Sequence, residues 1–199
     1  ISRVGSLELG FVNKVFDGNF EIKLKEEIAI NKPVVFLLGL DEINPKSFEE
    51  SFVVYLGHHG DVNAQHANII LPTPAYTEKS STFMNIEGRT IQTSRCHNTL
   101  GDAKEDWKIF RVLSDLLDCG IQFNNLNDVR KTLINENKNF LAILETNSSS
   151  NLSFSSKEDI KDQRLSYNIS NFYMNDSISR ASETMANCTN EILNKAKAS

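Results

Sequence analysis

The sequence has few cysteines, and none of them are paired at a metal-binding spacing. The three cysteines, Cys96, Cys119 and Cys188, lie far apart in the chain. Structural zinc sites and iron–sulfur clusters use cysteines at short, fixed spacings such as C-x-x-C. The pattern therefore excludes a local zinc or iron–sulfur signature and predicts reduced thiols with a structural role.

Long hydrophobic runs and an excess of positive charge are also absent. No apolar run approaches the ~20 residues that span a bilayer, so we predict no membrane-spanning helix. The net charge of −5 argues against a general nucleic-acid binder, which would have a basic surface. The chain begins at Ile1 without a methionine or a targeting segment, so we expect its start to be missing or cut away.

What the sequence does contain is typical of one packed domain, or most of one. It has 199 residues, of which 40% are hydrophobic and 24% are charged. Three apolar, β-branched segments predict strands at residues 34–39, 52–56 and 69–71. Asn44 and Asp61 are placed to cap short helices between these strands. The predicted fold class is α/β with a parallel open sheet and flanking helices, because parallel strands need crossover connections.

Helices are predicted before and after these strands in the sequence, and also near the end of the chain. A short helix is predicted within residues 15–30, and another within 127–136. Between them, a capping-box pattern at Asp102 predicts the start of a helix that ends at Cys119-Gly120. Residues 145–171 are rich in Ser, Asn and Lys and predict a long loop or partly ordered linker. An amphipathic helix over residues 176–197, led by Asp176 and Ser177, would dock on a partner or back on its own domain.

Any chemistry is expected within residues 52–92, since ligands of open α/β sheets bind beyond the carboxyl ends of the strands. His58, His59 and His66 in this stretch are candidate metal ligands. The adjacent pair cannot point the same way on a regular element, and no Cys or paired carboxylate completes a site. We favour turn and hydrogen-bonding roles. The Gly57-His-His-Gly60 sequence matches neither glycine-rich phosphate-binding motif, and turn geometry explains its glycines.

Two further groups of polar residues are candidates for chemistry. Cys96 and His97 would be a nucleophile and its base, but neighbours in sequence seldom reach each other productively, and no oxyanion site can be named. Glu78, Glu87 and Arg89 are acids and a base in loops at the expected ligand-bearing edge. They would serve either in a site or in an ion pair that locks the loops, and spacing alone does not separate these alternatives. No catalytic, cofactor-binding or metal-binding residue is assigned.

Four sequence blocks resemble the large iron–sulfur subunit of respiratory complex I, often called the 75 kDa subunit. They are SRVGSLELG at residues 2–10, VVYLGHHGDVNAQHANIILPTPAYTEKSSTFMNIEGRTIQT at 53–93, GDAKEDWKIFRVLSDLL at 101–117 and FYMNDSISRASETMA at 172–186. The blocks occur in the right order. The last is similar to the C-terminal signature of mitochondrial and related bacterial members.

The resemblance implies a domain organisation and an absence of cofactors in this chain. Residues 1–140 would be the end part of a molybdopterin oxidoreductase-like α/β domain, 141–171 a polar linker and 172–199 a C-terminal docking helix. Members of the family hold their iron–sulfur clusters in an N-terminal part, so clusters are expected there or in a partner chain. In molybdenum enzymes the motif ADxxLP…E…GTxxNxEGR lies near the pterin. Here Asn68 replaces the usual Asp and Ser81 the usual Gly, and the complex I branch generally carries no molybdenum, so we expect the motif to preserve loop structure.

Two functions follow from the resemblance. The first is a structural, cofactor-free C-terminal part of the complex I subunit, which contacts other peripheral-arm subunits on the matrix side of the mitochondrial inner membrane. The alternative is a fragment of an active molybdopterin-dependent oxidoreductase, with residues 78–89 near the cofactor. A partial parallel sheet leaves an open edge and an uncovered face, which are costly in water. We therefore expect an obligate partner, either a separate chain or an upstream segment, that carries the rest of the domain.

Overall fold

A three-stranded parallel sheet is the centre of the fold. The computed structural model describes residues 3–10, 26, 28–40, 43–140 and 171–194. The sheet has the order β1-β2-β3, and its strands are β1 (Val34–Leu38), β2 (Phe52–Gly57) and β3 (Ile69–Pro72). Both strand pairs are parallel, with Val34 opposite Phe52 and Val54 opposite Ile69. The predicted parallel α/β fold is confirmed.

Short helical turns connect the strands, and both begin at the predicted caps. Asn44 accepts a hydrogen bond from the Lys46 N–H at 3.1 Å and starts the 3-10 helix Pro45–Phe48. Asp61 accepts from the Val62 N–H at 2.8 Å and starts helix α2 (Val62–Gln65). Each connection contains a single helical turn, and the first of the two is a 3-10 turn.

One face of the sheet carries the hydrophobic core. Alternate strand residues point to the same side, and on this side the sheet packs against the two connecting turns and the helical residues 28–31. The buried members of the core cluster are Ile28, Leu37, Phe48, Val53, Tyr55 and Ala64. The connections between the strands therefore lie on this side of the sheet, and their side chains pack against it to form the core.

The opposite face of the sheet is apolar but incompletely covered. Its central residues Val54 and Leu56 are buried, and Phe36 packs against Phe110 with ring centroids 5.9 Å apart. Towards its margins the side chains are exposed: Val34 56%, Phe36 40%, Leu38 51%, Phe52 46% and Ile69 43%. These five residues are called the open face below.

An antiparallel hairpin follows the sheet, in a region where only loops around Glu78, Glu87 and Arg89 were expected. Its strands are β4 (Ser81–Met84) and β5 (Thr90–Thr93), paired from Ser81 opposite Thr93 to Met84 opposite Thr90. The strands are four residues long and rich in Ser, Thr and Gln, so they lack the apolar alternation that identifies a strand. The sequence pattern therefore did not identify this hairpin.

Two helices follow the hairpin, close to their predicted positions. They are α3 (Asp106–Leu116) and α4 (Leu126–Glu136). The capping box predicted at Asp102 is wrong, because α3 begins after Glu105, whose side chain makes no capping hydrogen bond. Asp118, with φ of 52°, takes the left-handed conformation directly after the end of α3, two residues before Gly120. Helix α4 is capped by Asn125, which accepts from the Asp128 N–H at 3.0 Å.

The ends of the described chain are helical. Helix α1 (Arg3–Glu8) is joined to the 3-10 helix Lys138–Phe140, because the Asn139 side chain donates to the Glu8 carboxylate at 2.6 Å. Residues 171–194, here the C-terminal segment, contain α5 (Ser177–Arg180), α6 (Glu183–Cys188) and a π-helical turn, Thr189–Asn194.

The continuous helix predicted over residues 176–197 is therefore interrupted. Asp176 caps α5 as expected, but Ser182 adopts extended backbone and caps a new helix, accepting from the Met185 N–H at 3.4 Å. A serine that bonds to the backbone in this way competes with helix continuation. Residues 195–197, the predicted linker up to residue 170 and most of the predicted helix at 15–30 lie outside the described residues.

Candidate functional site

The turn after β2 is shaped by the ring of Tyr55. The Tyr55 hydroxyl donates to the His59 carbonyl at 3.2 Å, so the buried ring passes beneath the end of its own strand. A Cβ at residue 57 would lie 2.5 Å from this ring. A glycine is thus required at position 57 because the Tyr55 ring leaves no room for a side chain. The explanation expected from the sequence was turn geometry.

The three candidate histidines are held by different neighbours. The His58 and His59 rings are in contact, with Nδ1 atoms 2.7 Å apart, so one nitrogen donates and the other accepts. His66 Nδ1 donates to the Val62 carbonyl of its own helical turn at 2.9 Å. Within the described ranges, no group of three or more His, Cys, Asp or Glu side chains is placed to hold a metal ion.

Asp61 connects this turn to the C-terminal segment. One carboxylate oxygen caps α2, and the other accepts from Arg180 Nε at 2.7 Å. The side chains are only 12% exposed for Asp61 and 28% for Arg180. We call this ion pair the Asp61–Arg180 latch. This ion pair was not predicted from the sequence, where the only signal was that both residues lie within blocks that resemble the same family.

Arg180 is positioned by a well-capped first turn of α5. The Asp176 carboxylate accepts from the N–H groups of Ile178 at 2.9 Å and Ser179 at 3.0 Å, and the Ser179 hydroxyl donates to the Asp176 carbonyl. The Ser179 N–H makes the largest contribution to lowering the pKa of Asp176 below 3.8, with further help from the Ser179 side chain, the Ile178 N–H and the charge of Arg180. The cap therefore stays ionised at neutral pH.

Asn68 and Glu78, at the start of β3 and in the loop after it, each satisfy a backbone amide. Asn68 Oδ1 accepts from the Val53 N–H at 2.7 Å and so joins the beginnings of β2 and β3. Glu78 accepts from the Ala75 N–H at 3.2 Å and closes the turn after β3. The next residue, Lys79, pairs with Asp106 at 2.6 Å and ties this loop to α3. These side chains stabilise local structure.

Glu87 and Arg89 lie at the tip of the hairpin, between β4 and β5. Asn85 organises this tip, since its Oδ1 accepts from the N–H groups of Glu87 at 3.0 Å and Arg89 at 2.9 Å. Gly88 has φ of 77°, a conformation that favours glycine. The Glu87 and Arg89 side chains approach to 3.9 Å in an exposed ion pair.

Cys96 and His97 lie beside the loop that contains Glu78. Their N–H groups both donate to the Thr77 carbonyl, at 2.9 and 3.2 Å. The Cys96 thiol donates to the Ser94 carbonyl at 3.6 Å, and His97 Nδ1 donates to the Asn98 carbonyl at 2.8 Å. Each of the two side chains thus donates to a backbone carbonyl. Cys96 and His97 are therefore not arranged as a nucleophile and the base that activates it.

The described part of the chain also contains no helix with the length and hydrophobicity needed to cross a bilayer.

The polar side chains of the 68–89 region bond chiefly to backbone groups, and such hydrogen bonds stabilise loops. Hydrogen bonds of this kind fix the connections around the sheet.

Two family models match the chain in succession. Residues 2–116 match the family described as molybdopterin oxidoreductase, and residues 136–188 match the family described as the C-terminal region of the NADH-ubiquinone oxidoreductase G-subunit. The first match contains the sheet, the hairpin and α3. The second contains the C-terminal segment as far as the end of α6.

Individual relatives are similar over nearly the whole chain. The 75 kDa subunit of NADH-ubiquinone oxidoreductase from Reclinomonas americana is 37% identical over 94% of this chain and 27% of its own length. The mitochondrial 78 kDa subunit from Candida albicans is 38% identical over 94% of this chain and 26% of its own length. The G-subunit of NADH-quinone oxidoreductase from Rickettsia conorii is also 38% identical, over the same shares. The chain spans about a quarter of the length of these relatives.

Proposed function

The chain belongs to the molybdopterin oxidoreductase family and matches the C-terminal part of the large complex I subunits, and from this premise we propose that it is a structural, cofactor-free part of such a subunit. It would support NADH-to-ubiquinone electron transfer in the peripheral arm without carrying a reacting group. The observation that carries the proposal is the alignment of 94% of the chain with complex I subunits at 37–38% identity.

The role of the retained motif supports a cofactor-free function. Asn68, Glu78 and Asn85 are three polar residues of the motif, and each already accepts from backbone N–H groups of the same chain. A pterin needs donors and acceptors that point away from the protein backbone towards the ligand. These residues therefore fit loop stabilisation better than pterin binding.

The open face supports a partner that carries the rest of the domain. Its five partly exposed apolar side chains form one side of a parallel sheet, a surface that is normally covered on both faces. Burying it would stabilise the assembly through the hydrophobic effect. The relatives are about four times longer than the matched region, so the upstream part of the subunit, in the same chain or a separate one, is the proposed occupant.

The remaining features of the proposal concern organisation and location. Residues 1–140 would form the end of the α/β domain, 141–171 a linker and 172–199 the docking helix region. Iron–sulfur clusters would lie in the N-terminal part of the subunit or in a partner chain. Two relatives are named mitochondrial, and the proposed location is the matrix side of the inner membrane, in contact with other peripheral-arm subunits.

Native gel electrophoresis of detergent-solubilised membranes tests the assignment. The gel is stained for NADH oxidation, and each band is analysed by mass spectrometry for peptides of this chain. Peptides in the large NADH-oxidising band are the expected result. Peptides confined to a small fraction would contradict the proposal, and molybdenum and pterin in that fraction would favour an active molybdopterin oxidoreductase instead.

A matched pair of variants tests the open face. Val34→Lys places a charge on the open face, whereas Ile86→Lys places the same charge at the hairpin tip, where Ile86 is 91% exposed. Burying an unpaired charge under a partner is costly. We expect Val34→Lys to reduce incorporation into the NADH-oxidising band and Ile86→Lys to leave it unchanged. Equal incorporation of both variants would show that the open face is not the contact surface.

A further inference from the structure

His58 and His59 lie in the turn after β2, outside any strand or helix. Neighbouring side chains point in different directions on a regular element, but a turn does not impose that restriction. The two ring centroids are 4.9 Å apart, the rings are nearly perpendicular at 83°, and the Nδ1 atoms are 2.7 Å apart. His58 is exposed and His59 is half-buried, so solvent reaches both residues. The pair therefore presents two imidazole nitrogens side by side at the surface.

The backbone that carries the two rings is held on both sides of the turn. The Tyr55 hydroxyl donates to the His59 carbonyl at 3.2 Å, and the same ring closely approaches Gly57. After the turn, Asp61 caps α2 by accepting from the Val62 N–H at 2.8 Å. The rings are thus placed near each other before any ligand binds, which lowers the entropic cost of binding.

We propose that the His58–His59 pair binds a Zn²⁺ ion through its two Nδ1 atoms. Imidazole nitrogens suit Zn²⁺ and other first-row transition ions, whereas Mg²⁺ and Ca²⁺ prefer oxygen ligands. Two tetrahedral ligands at about 2.0–2.1 Å from Zn²⁺ lie about 3.4 Å apart. The two nitrogens therefore need to separate by only about 0.7 Å, and a small rotation of each ring at the surface supplies this movement.

Zinc binding replaces the hydrogen bond between the rings by two metal bonds. In the unbound protein one Nδ1 donates to the other. On binding, that Nδ1 gives its proton to solvent and Nε2 of the same ring takes one up, so both rings stay neutral and no net proton is released. Within the described ranges no third His, Cys, Asp or Glu side chain completes a set of ligands, so water fills the remaining positions. Because Zn²⁺ has no redox chemistry, the ion stiffens the turn and is compatible with a subunit part that carries no reacting group.

NMR of the histidine ring nitrogens in the isotope-labelled full chain tests the proposal, with Zn²⁺ alone as the probe. A site with two protein ligands binds more weakly than structural sites with four, so the titration extends into the millimolar range. We expect the His58 and His59 resonances to shift together and saturably, and both rings to end with the proton on Nε2. The His66 and His97 resonances should stay unchanged. Equal shifts at all four histidines, or no saturable shift of the pair, would overturn the proposal.

Three histidine variants locate the ion. His58→Ala and His59→Ala each remove one ligand but keep the backbone carbonyl of residue 59 that accepts from Tyr55. Residues that only support a metal ligand are worth about 10- to 100-fold in affinity, so each variant should weaken Zn²⁺ binding by at least about tenfold. His66→Ala removes an exposed imidazole at the end of α2 and should bind Zn²⁺ as the parent chain does. The same affinity in His59→Ala and His66→Ala would show that the pair is not the site.

Discussion

Breaking the Asp61–Arg180 latch is expected to release the C-terminal segment from the end of the parallel sheet. The contact is a charge-assisted hydrogen bond of 2.7 Å between side chains that are mostly buried, at 12% and 28% exposed. Exposed ion pairs contribute about 0.2–1 kcal/mol and hydrogen bonds to charged groups about 1.5–3 kcal/mol. The latch lies between these cases, so a coupling of about 1–2 kcal/mol is expected.

A double-mutant cycle with Asp61→Asn and Arg180→Gln isolates this coupling. Asparagine at position 61 keeps a side-chain oxygen to cap α2, so the cycle removes the ion pair and spares the cap. Lys131→Gln, at an exposed position in α4, controls for the loss of a positive charge. The free energy of unfolding is measured by urea denaturation for the parent chain, the two single variants and the double variant. The coupling energy is the difference between the effect of the double substitution and the sum of the two single effects.

Hydrogen exchange of the backbone amides detects the release of the C-terminal segment residue by residue. Helices of four and six residues do not persist alone in water, so the amides of α5 and α6 exchange whenever the segment leaves the sheet. A loss of about 1–2 kcal/mol raises their exchange rates about 5- to 30-fold, while the amides of β2 keep their rates. A coupling near zero, or equal changes in α5 and β2, would refute the conclusion that the latch holds the segment.

Three further substitutions have defined outcomes. Gly57→Ala should cost about 1–3 kcal/mol of unfolding free energy, because its Cβ meets the Tyr55 ring at 2.5 Å. Gly60→Ala meets nothing within 4 Å and should be nearly neutral by thermal denaturation; similar losses would contradict this explanation. Asn85→Ala removes both hydrogen bonds that shape the hairpin tip, so exchange of the β4 and β5 amides should accelerate, and unchanged rates would count against that role. Because the folded-state pKa of Asp176 is lowered below 3.8, its stabilisation of α5 is present above that pH and is lost as pH falls through the folded value. Asp176→Asn should abolish this acid-dependent rise in α5 exchange, and a rise of the same size in the variant would disprove the assignment to this carboxylate.

The parallel sheet and several helix starts could be predicted because their signals are local. The strands at 34–38, 52–57 and 69–72 are apolar and β-branched, so composition alone identifies them. Asn44, Asp61 and Asp176 cap helices through hydrogen bonds that reach only one to three residues along the chain. A pattern of neighbouring residues contains all the information that such contacts need.

Other elements could not be predicted because tertiary contacts or competing local bonds determine them. The hairpin strands are short and polar, and their turn is shaped by Asn85 without the Asn-Gly pair that usually announces a hairpin. The break in the C-terminal helix comes from Ser182, a residue that is tolerated within helices elsewhere. At the candidate site, the latch joins residues 119 positions apart.

The open face also has a consequence for the life of the chain in the cell. Until the proposed partner covers it, the exposed Val34, Leu38 and Phe52 side chains offer a binding surface to chaperones and to other unfolded chains. We expect the unassembled chain to be degraded quickly, so that its abundance follows that of its partner. A pulse-chase experiment in cells depleted of the proposed partner subunits measures this, and a half-life unchanged by depletion would contradict it. Degradation of the unpartnered chain would then keep its copy number matched to that of the assembly.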